Sequence, residues 1–392
     1  MTTRTSPLRA LAPAAMAIVV AACGASSTAA TGGALTSGKG GHHATSSMPA
    51  DALPLRAGEQ FLTLPMEKPY IPLPPSGGTD EYRCLVIDPG LLKPTFLTGS
   101  QFAPSNAGIA HHANIYVVAP ENAAKALEKD AASPGQGWTC FGTDGLDTQP
   151  PSAWVDTWTP GARETLLDGN LGYRIEPGSL VVLQIHYNLL ATDGKPGAFD
   201  QSSVRLRLTE GDGDTKALTA VPLMAPIELP CAPGESGPLC DRAASLADVE
   251  KRFGPEVAAT ETQLVTACNG GTPKPGDTQQ CDTPIPTEMT IYAGRGHMHL
   301  LGRSIKVELN PGTPAAQVLL DVPEFNFDDQ QHVPLATPVK VKPGDTVRIT
   351  CTHDAKLRTM LPALQKLPPR YVVYGDGTSD EMCIGLMTVS MP

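Results

Sequence analysis

His297 and His299 stand in the run Gly294-Arg295-Gly296-His297-Met298-His299-Leu300-Leu301-Gly302. Side chains two apart on a β-strand project from one face, so a His-x-His pair can grip a single metal ion. Met298, between them, would then face the apolar side with Leu300. Met382, in Ser379-Asp380-Glu381-Met382-Cys383, offers a third ligand of another type. Methionine more often fills a core, but the polar run before it and Cys383 after it give this one weight. Two imidazoles and a thioether suit copper, above all Cu(I), because soft sulfur selects the soft ion. A surface histidine pair on a strand would look the same by itself.

A second set, His111, His112 and His186, lies upstream. His111 and His112 are adjacent and diverge on a regular strand. They can meet one ion only at a strand end or a bulge; otherwise one is a ligand and the other structural. Across Val181 to Asn188, alternation puts Val181, Leu183, Ile185 and Tyr187 on one face and Gln184, His186 and Asn188 on the other. His186 therefore points towards solvent or a partner surface. Three histidines also suit zinc, against which Met382 argues at the other set. His332 and His353 read as loop or structural residues. The chain thus carries two unlike ligand sets, one in each half, which points to two copper ions per chain.

Strands must position these groups. Ala113 to Val118, Leu180 to Leu190, Met289 to Arg295, His297 to Leu309 and Val339 to Cys351 are rich in β-branched or aromatic residues at strand length. Pro177-Gly178 and Pro343-Gly344 punctuate them. Helical pattern is confined to Asn122 to Ala132 and a stretch near Leu246 to Phe253. The reading is all-β, built from packed antiparallel sheets. The polar, Gly/Pro-bearing stretch from Ala191 to Ser203 is the expected seam between residues 56–198 and 199–392.

The N-terminus reads as a targeting segment. Arg4 and Arg9 precede an apolar core, Leu11 to Val20, too short to span a membrane, and Val20-Ala21-Ala22-Cys23 has the pattern of a bacterial lipoprotein cleavage site. An ordinary secretory signal with an incidental cysteine is the alternative. Residues 1–22 would be the signal peptide, Cys23 the lipidated residue, and 23–55 a flexible tether rich in Ala, Gly, Ser and Thr. His42 and His43 fall in that tether, as solvated linker or as loose metal ligands. Gly24 rather than Asp after the cysteine favours the outer membrane, so the expected location is the cell envelope, on its periplasmic or surface face. The net charge of -11 excludes nucleic acid as a natural partner and leaves membrane attachment to the lipid alone. Of the nine cysteines, setting Cys23 aside leaves an even number, which argues for disulfides in an exported protein. Cys231 with Cys240 and Cys268 with Cys281 are plausible local pairs across Gly/Pro-rich loops.

Five stretches in order resemble the copper type II, ascorbate-dependent monooxygenases. They are Tyr82-Arg83-Cys84, His111-His112, Gln184-Ile185-His186-Tyr187, His297 to Gly302, and Ser379 to Cys383. The resemblance implies two tandem jelly-roll-like β-sandwich domains with a copper site in each and a solvent-filled cleft between them. It implies that His111, His112 and His186 hold an electron-transfer copper, with Gln184 beside them. His297, His299 and Met382 would be the catalytic, oxygen-activating set. It also implies the disulfides Cys351–Cys383 and Cys84–Cys140. Arg295 matches an arginine that anchors a substrate carboxylate in peptide-hydroxylating relatives, though Ile384 and Leu386 stand where polar partners of such a substrate would be. A structural role for Arg295 is the other reading.

The expected activity is hydroxylation of a C–H bond of a small molecule or peptide, using O2 and ascorbate or another electron donor. The alternative is a non-catalytic, copper-sequestering lipoprotein. Storage alone would not require two unlike sites.

Overall fold

A computed structural model describes residues 52–392 except 75–78, 134, 142, 150, 193–196 and 328. Cys23, His42, His43 and the expected signal segment lie outside the described residues. The described residues all belong to one compact unit. Strands dominate it, and every strand pairing but one two-residue rung is antiparallel. The all-β expectation holds.

In the first half, two sheets face each other. One orders Gln60–Pro65, Ser203–Thr209, Thr95–Ala103, Leu171–Ile175 and Lys216–Ala217, with Thr165–Leu166 beside Thr95–Ala103. The other orders Trp138–Thr139, Asp80–Ile87, Leu180–Asn188, Ala110–Val118 and Ala153–Trp158. Leu97, Phe102, Ile115, Leu183, Ile185 and Leu206 fill the space between them. The outer face of the second sheet is covered as well: Val182, Tyr116 and Trp138 pack there with Ala126 of the helix Pro120–Ala132. Burial on both faces explains why Val181 to Asn188 carries bulky residues on both sides of its alternation.

The chain's second half repeats the sandwich plan. Thr219–Met224, Ile384–Ser390, Met289–His297 and Val333–Val341 form one sheet, and Thr278–Pro284, Thr346–His353, Gly302–Leu309 and Gln317–Val322 the other. Ile291, Met298, Ile305, Val307, Ile349 and Met387 are among the residues that close its core. The strand Ser203–Thr209, just beyond the polar stretch expected as a seam, pairs with Gln60–Pro65 and Thr95–Ala103. The chain passes between the sandwiches near Leu218, where Lys216–Ala217 joins the first sheet system and Thr219–Met224 the second.

Beyond an earlier start at Pro120 and the short, unexpected helix Leu357–Met360, two helices differ from expectation. Arg242–Phe253 starts four residues early because Asp241 caps it, its side chain accepting from Ala244 N–H at 2.9 Å. A further helix, Pro255–Asn269, follows at once. Gly254 (φ 96°) makes the break, Pro255 supplies the pre-set first position, and Gly270 ends the helix in the left-handed conformation. Its Ala/Thr-rich sequence gives weak apolar periodicity, so the pattern did not announce it. Disulfides Cys84–Cys140, Cys231–Cys240, Cys268–Cys281 and Cys351–Cys383 are all formed. No helix among the described residues is long and apolar enough to cross a membrane.

Candidate metal centres at the sandwich interface

Strand pairing assembles the first set. His186 lies in the middle strand of its sheet, register partner of Tyr82 on one side and His112 on the other. A bulge between Ala110 and His112 breaks the register of that strand. This is the irregularity two adjacent histidines need to face one point. Their Nδ1 atoms converge: His111 to His186 is 3.1 Å, and His186 to His112 is 3.3 Å. The three residues form a group whose ligand atoms all lie within 4.8 Å of one another.

The nitrogen roles are set from behind. His186 Nε2 donates to Asp80 Oδ1 at 2.9 Å, which leaves the Nδ1 lone pair facing the other two rings. Asp80 Oδ1 also accepts from Asn188 Nδ2 and from Thr378 Oγ1, each at 2.8 Å. Burial pushes the Asp80 carboxyl up, but these hydrogen bonds outweigh it and hold the group below the ordinary carboxylate range. Burial, reinforced by the neighbouring imidazoles, holds His111 and His112 well below the usual imidazole value. All three rings are thus neutral with lone pairs available. Tyr82 stacks on His186 with centroids 4.1 Å apart.

The second set is built differently from its expected form. His297 is the last residue of its strand, and Met298 to Leu301 form a turn rather than the start of the next strand, which begins at Gly302. The His-x-His pair is therefore a strand end plus a turn, not a strand-borne clip. Met298 is buried in the apolar core, as alternation required, and Leu300 packs against it partly buried. His297 is register partner of Ile384, two residues beyond Met382, and His297 and Met382 line the same cavity. His297 Nδ1 is engaged by Gln330 Oε1 at 2.8 Å, and His299 Nδ1 donates to the Asp380 carbonyl at 3.2 Å. Both Nε2 atoms are left for a metal, and that of His299 is buried with no hydrogen-bond partner. An orphaned buried imidazole nitrogen, with a second imidazole and a buried methionine in the same donor set, fits a soft cation such as Cu(I).

Glu381 fastens this turn. Its carboxylate accepts from the backbone N–H of His299 (2.9 Å), Leu301 (2.6 Å) and Met382 (3.3 Å). Cys351–Cys383 ties the residue after Met382 to the facing sheet. His353 Nε2 lies 3.5 Å from Glu381, and His332 Nε2 is 3.1 Å from Thr388 Oγ1.

Where the resemblance implied a solvent-filled cleft, the two halves are closed on each other. The His112 and His297 rings are 5.7 Å apart between centroids, and His111 stacks on Phe327 of the second half at 4.6 Å. A small cavity remains, lined in part by Tyr82, His112, Gln184, His297, Asp376 and Met382. Arg295 is one reason for the closure. Its guanidinium reaches across the interface to Asp156 Oδ1 at 2.9 Å and the Thr157 carbonyl at 2.6 Å. Gln184 likewise holds structure together: its Oε1 accepts from Asn114 Nδ2 at 2.7 Å and its amide donates to the Thr143 carbonyl.

Sequence reasoning missed Asp80, Gln330, Glu381 and Asp376. Only Glu381, next to Met382, stood inside a stretch singled out for its chemistry.

Residues 277–388 match the family model of the copper type II ascorbate-dependent monooxygenase C-terminal domain. Tyramine beta-hydroxylase of Caenorhabditis briggsae is 31% identical over 125 residues, 31% of this chain and 18% of that protein's length. Among solved structures, an allantoicase (TM-score 0.19, 11% identity, 86% of this chain and 90% of that one) and a Paenibacillus xanthan lyase (TM-score 0.19, 11% identity, 88% and 26%) show only remote likeness. The similarity to the copper type II, ascorbate-dependent monooxygenases thus covers residues 277–388, the stretch that holds His297, His299 and Met382, and the chain spans under a fifth of the length of the curated relative it matches.

Proposed function

We propose that this protein is a copper-dependent monooxygenase that hydroxylates a C–H bond of a small molecule with O2 and a one-electron reductant such as ascorbate. The balanced reaction is R–H + O2 + 2e⁻ + 2H⁺ giving R–OH + H2O. The observation that carries it is the pair of unlike ligand sets with their nitrogen roles already fixed. His111, His112 and His186 present Nδ1 to one point, while His297, which shares the cavity with Met382, and His299 keep Nε2 free. Copper in these sets would supply one-electron redox chemistry at the first and dioxygen activation at the second.

The protein's own groups do the rest. Asp80 and Gln330 hold imidazole tautomers from behind. Closure of the halves leaves only a small cavity between the ligand sets, where electrostatic interactions are stronger than in open solvent. Arg295 is occupied by Asp156, so a substrate carboxylate would have to displace an internal ion pair to use it. That speaks against a peptide C-terminus as the anchored group.

The test is metal content with reductant-driven oxygen consumption. Two coppers bind per chain, and Met382→Ile lowers ascorbate-driven dioxygen consumption to background while the copper at His111, His112 and His186 stays bound. One copper per chain in the intact protein, or unchanged consumption by Met382→Ile, overturns the two-site reading. Incorporation of oxygen-18 from O2 into product separates hydroxylation from mere copper storage.

A further inference from the structure

The cavity between the two ligand sets holds a carboxyl group that the reading above does not use. Asp376 lines it together with His112, His297 and Met382. The residue is 1% exposed, and neither carboxyl oxygen has a hydrogen-bond partner. Its backbone, by contrast, is pinned, because Tyr82 Oη donates to the Asp376 carbonyl at 2.5 Å.

The neighbouring cations are spent elsewhere. Arg252 makes two hydrogen bonds to Asp380, at 2.8 and 2.7 Å, and Arg370 adds a third at 3.1 Å. Asp380 thus has every partner a buried carboxylate needs, while Asp376, four residues earlier, has none. A buried carboxylate without a partner costs several kcal/mol and escapes that cost by staying protonated. A neutral carboxylic acid facing a cavity is a proton donor.

We propose that Asp376 is a catalytic acid of this cavity, delivering a proton to the oxygen atom of dioxygen that leaves as water. The inference rests on the monooxygenase reading, whose reaction consumes two protons per turnover. Asp376 supplies one of them, the O–H bond of its carboxyl breaking as an O–H bond of water forms. The carboxylate left behind takes a proton back from solvent, and the electrons come from the reductant.

The surroundings support a neutral resting state. Burial pushes the carboxyl up to about 7, the charge of Asp380 adds to this, and Arg252 opposes it. Tyr82 and Tyr116 from the first half and Tyr374 on the same loop also surround it, all with phenols raised by burial and therefore uncharged. His112 and His297 across the cavity are neutral as well. Among the described residues that line the cavity, the phenols of Tyr82 and Tyr374, raised by burial, are poorer acids than this carboxyl.

The test compares wild type with Asp376→Asn and Asp376→Glu, all copper-loaded and freed of unbound copper. Ascorbate-driven dioxygen consumption falls roughly 10²- to 10⁴-fold in Asp376→Asn, recovers in part in Asp376→Glu, and loses its alkaline limb in the asparagine variant. Copper content and melting temperature serve as folding controls. Independently of turnover, infrared difference spectra of the metal-free proteins show a deuterium-sensitive protonated-carboxyl band in wild type that Asp376→Asn lacks. An active wild type with an unimpaired Asp376→Asn, or no difference band, overturns the acid alone. A wild type that loads copper yet consumes no dioxygen overturns the monooxygenase reading, and the acid with it.

Discussion

At the scale of single residues, the side chains behind the metal ligands decide what the ligands can do. A histidine binds metal through whichever nitrogen its other neighbour leaves free. Asp80 settles this for His186, and it is itself fixed by Asn188 and by Thr378 of the other half. Removing the carboxylate frees the ring to flip and leaves Nε2–H unpartnered. Asp80→Ala should therefore weaken copper binding at the first set by about 10- to 100-fold, the usual effect of losing such a partner. Asp80→Asn, which keeps an acceptor oxygen, should fall between. The second set should be untouched in both. Competition with a chelator of known affinity measures this; equal first-site affinity in all three proteins would remove Asp80 from the role.

At the scale of elements, two local irregularities make the site, and both sit where strands fail to be regular. A bulge turns His111 and His112 to one point, and a turn after His297 carries His299. The turn is held by Glu381, whose carboxylate accepts from three buried backbone N–H groups. Glu381→Ala leaves those donors unsatisfied, at about 1–3 kcal/mol each. The variant should lose about 3 kcal/mol or more of stability and most Cu(I) affinity at the second set, with the first set intact. Denaturant unfolding and Cu(I) titration check it, and a loss under about 1 kcal/mol would mean the turn stands without its clasp. The contrast with the sequence is instructive here. Residue types and alternation made the ligands and the apolar faces legible, down to the need for a bulge at His111-His112 and the burial of Met298. The turn at Met298 to Leu301 was not legible, because a short polar-apolar alternation reads the same in a strand and in a turn pinned by a distant carboxylate. Asp80, Gln330 and Asp376 were invisible for a related reason: each reaches its site only through tertiary contact, Asp80 from a different strand and Gln330 and Asp376 from loops, with no spacing to mark them.

At the scale of the whole molecule, closure of the two sandwiches brings the ligand sets together, and the closure is built around a buried ion pair. Arg295 of the second half meets Asp156 of the first, and His332 stands close enough for the Arg295 charge to matter. Burial, and then that guanidinium, hold His332 down to about 4, from 6.5. The unfolded chain gains this proton as pH falls through 6.5, whereas the folded chain resists it until about 4. His332 therefore contributes stability that is present above pH 6.5 and is lost as pH falls towards 4. The full shift corresponds to about 3 kcal/mol at most, less for a ring that is only half-buried. A second cation beside Arg295 also opposes the interface directly, so acid should loosen the closed arrangement. His332→Gln keeps a hydrogen-bonding side chain near Thr388 without taking up the charge. Its melting temperature in the metal-free protein should lie near that of wild type at neutral pH and rise above it progressively below pH 6.5. Parallel melting curves for the two proteins across that range would show that His332 plays no part in the acid sensitivity of the closed form.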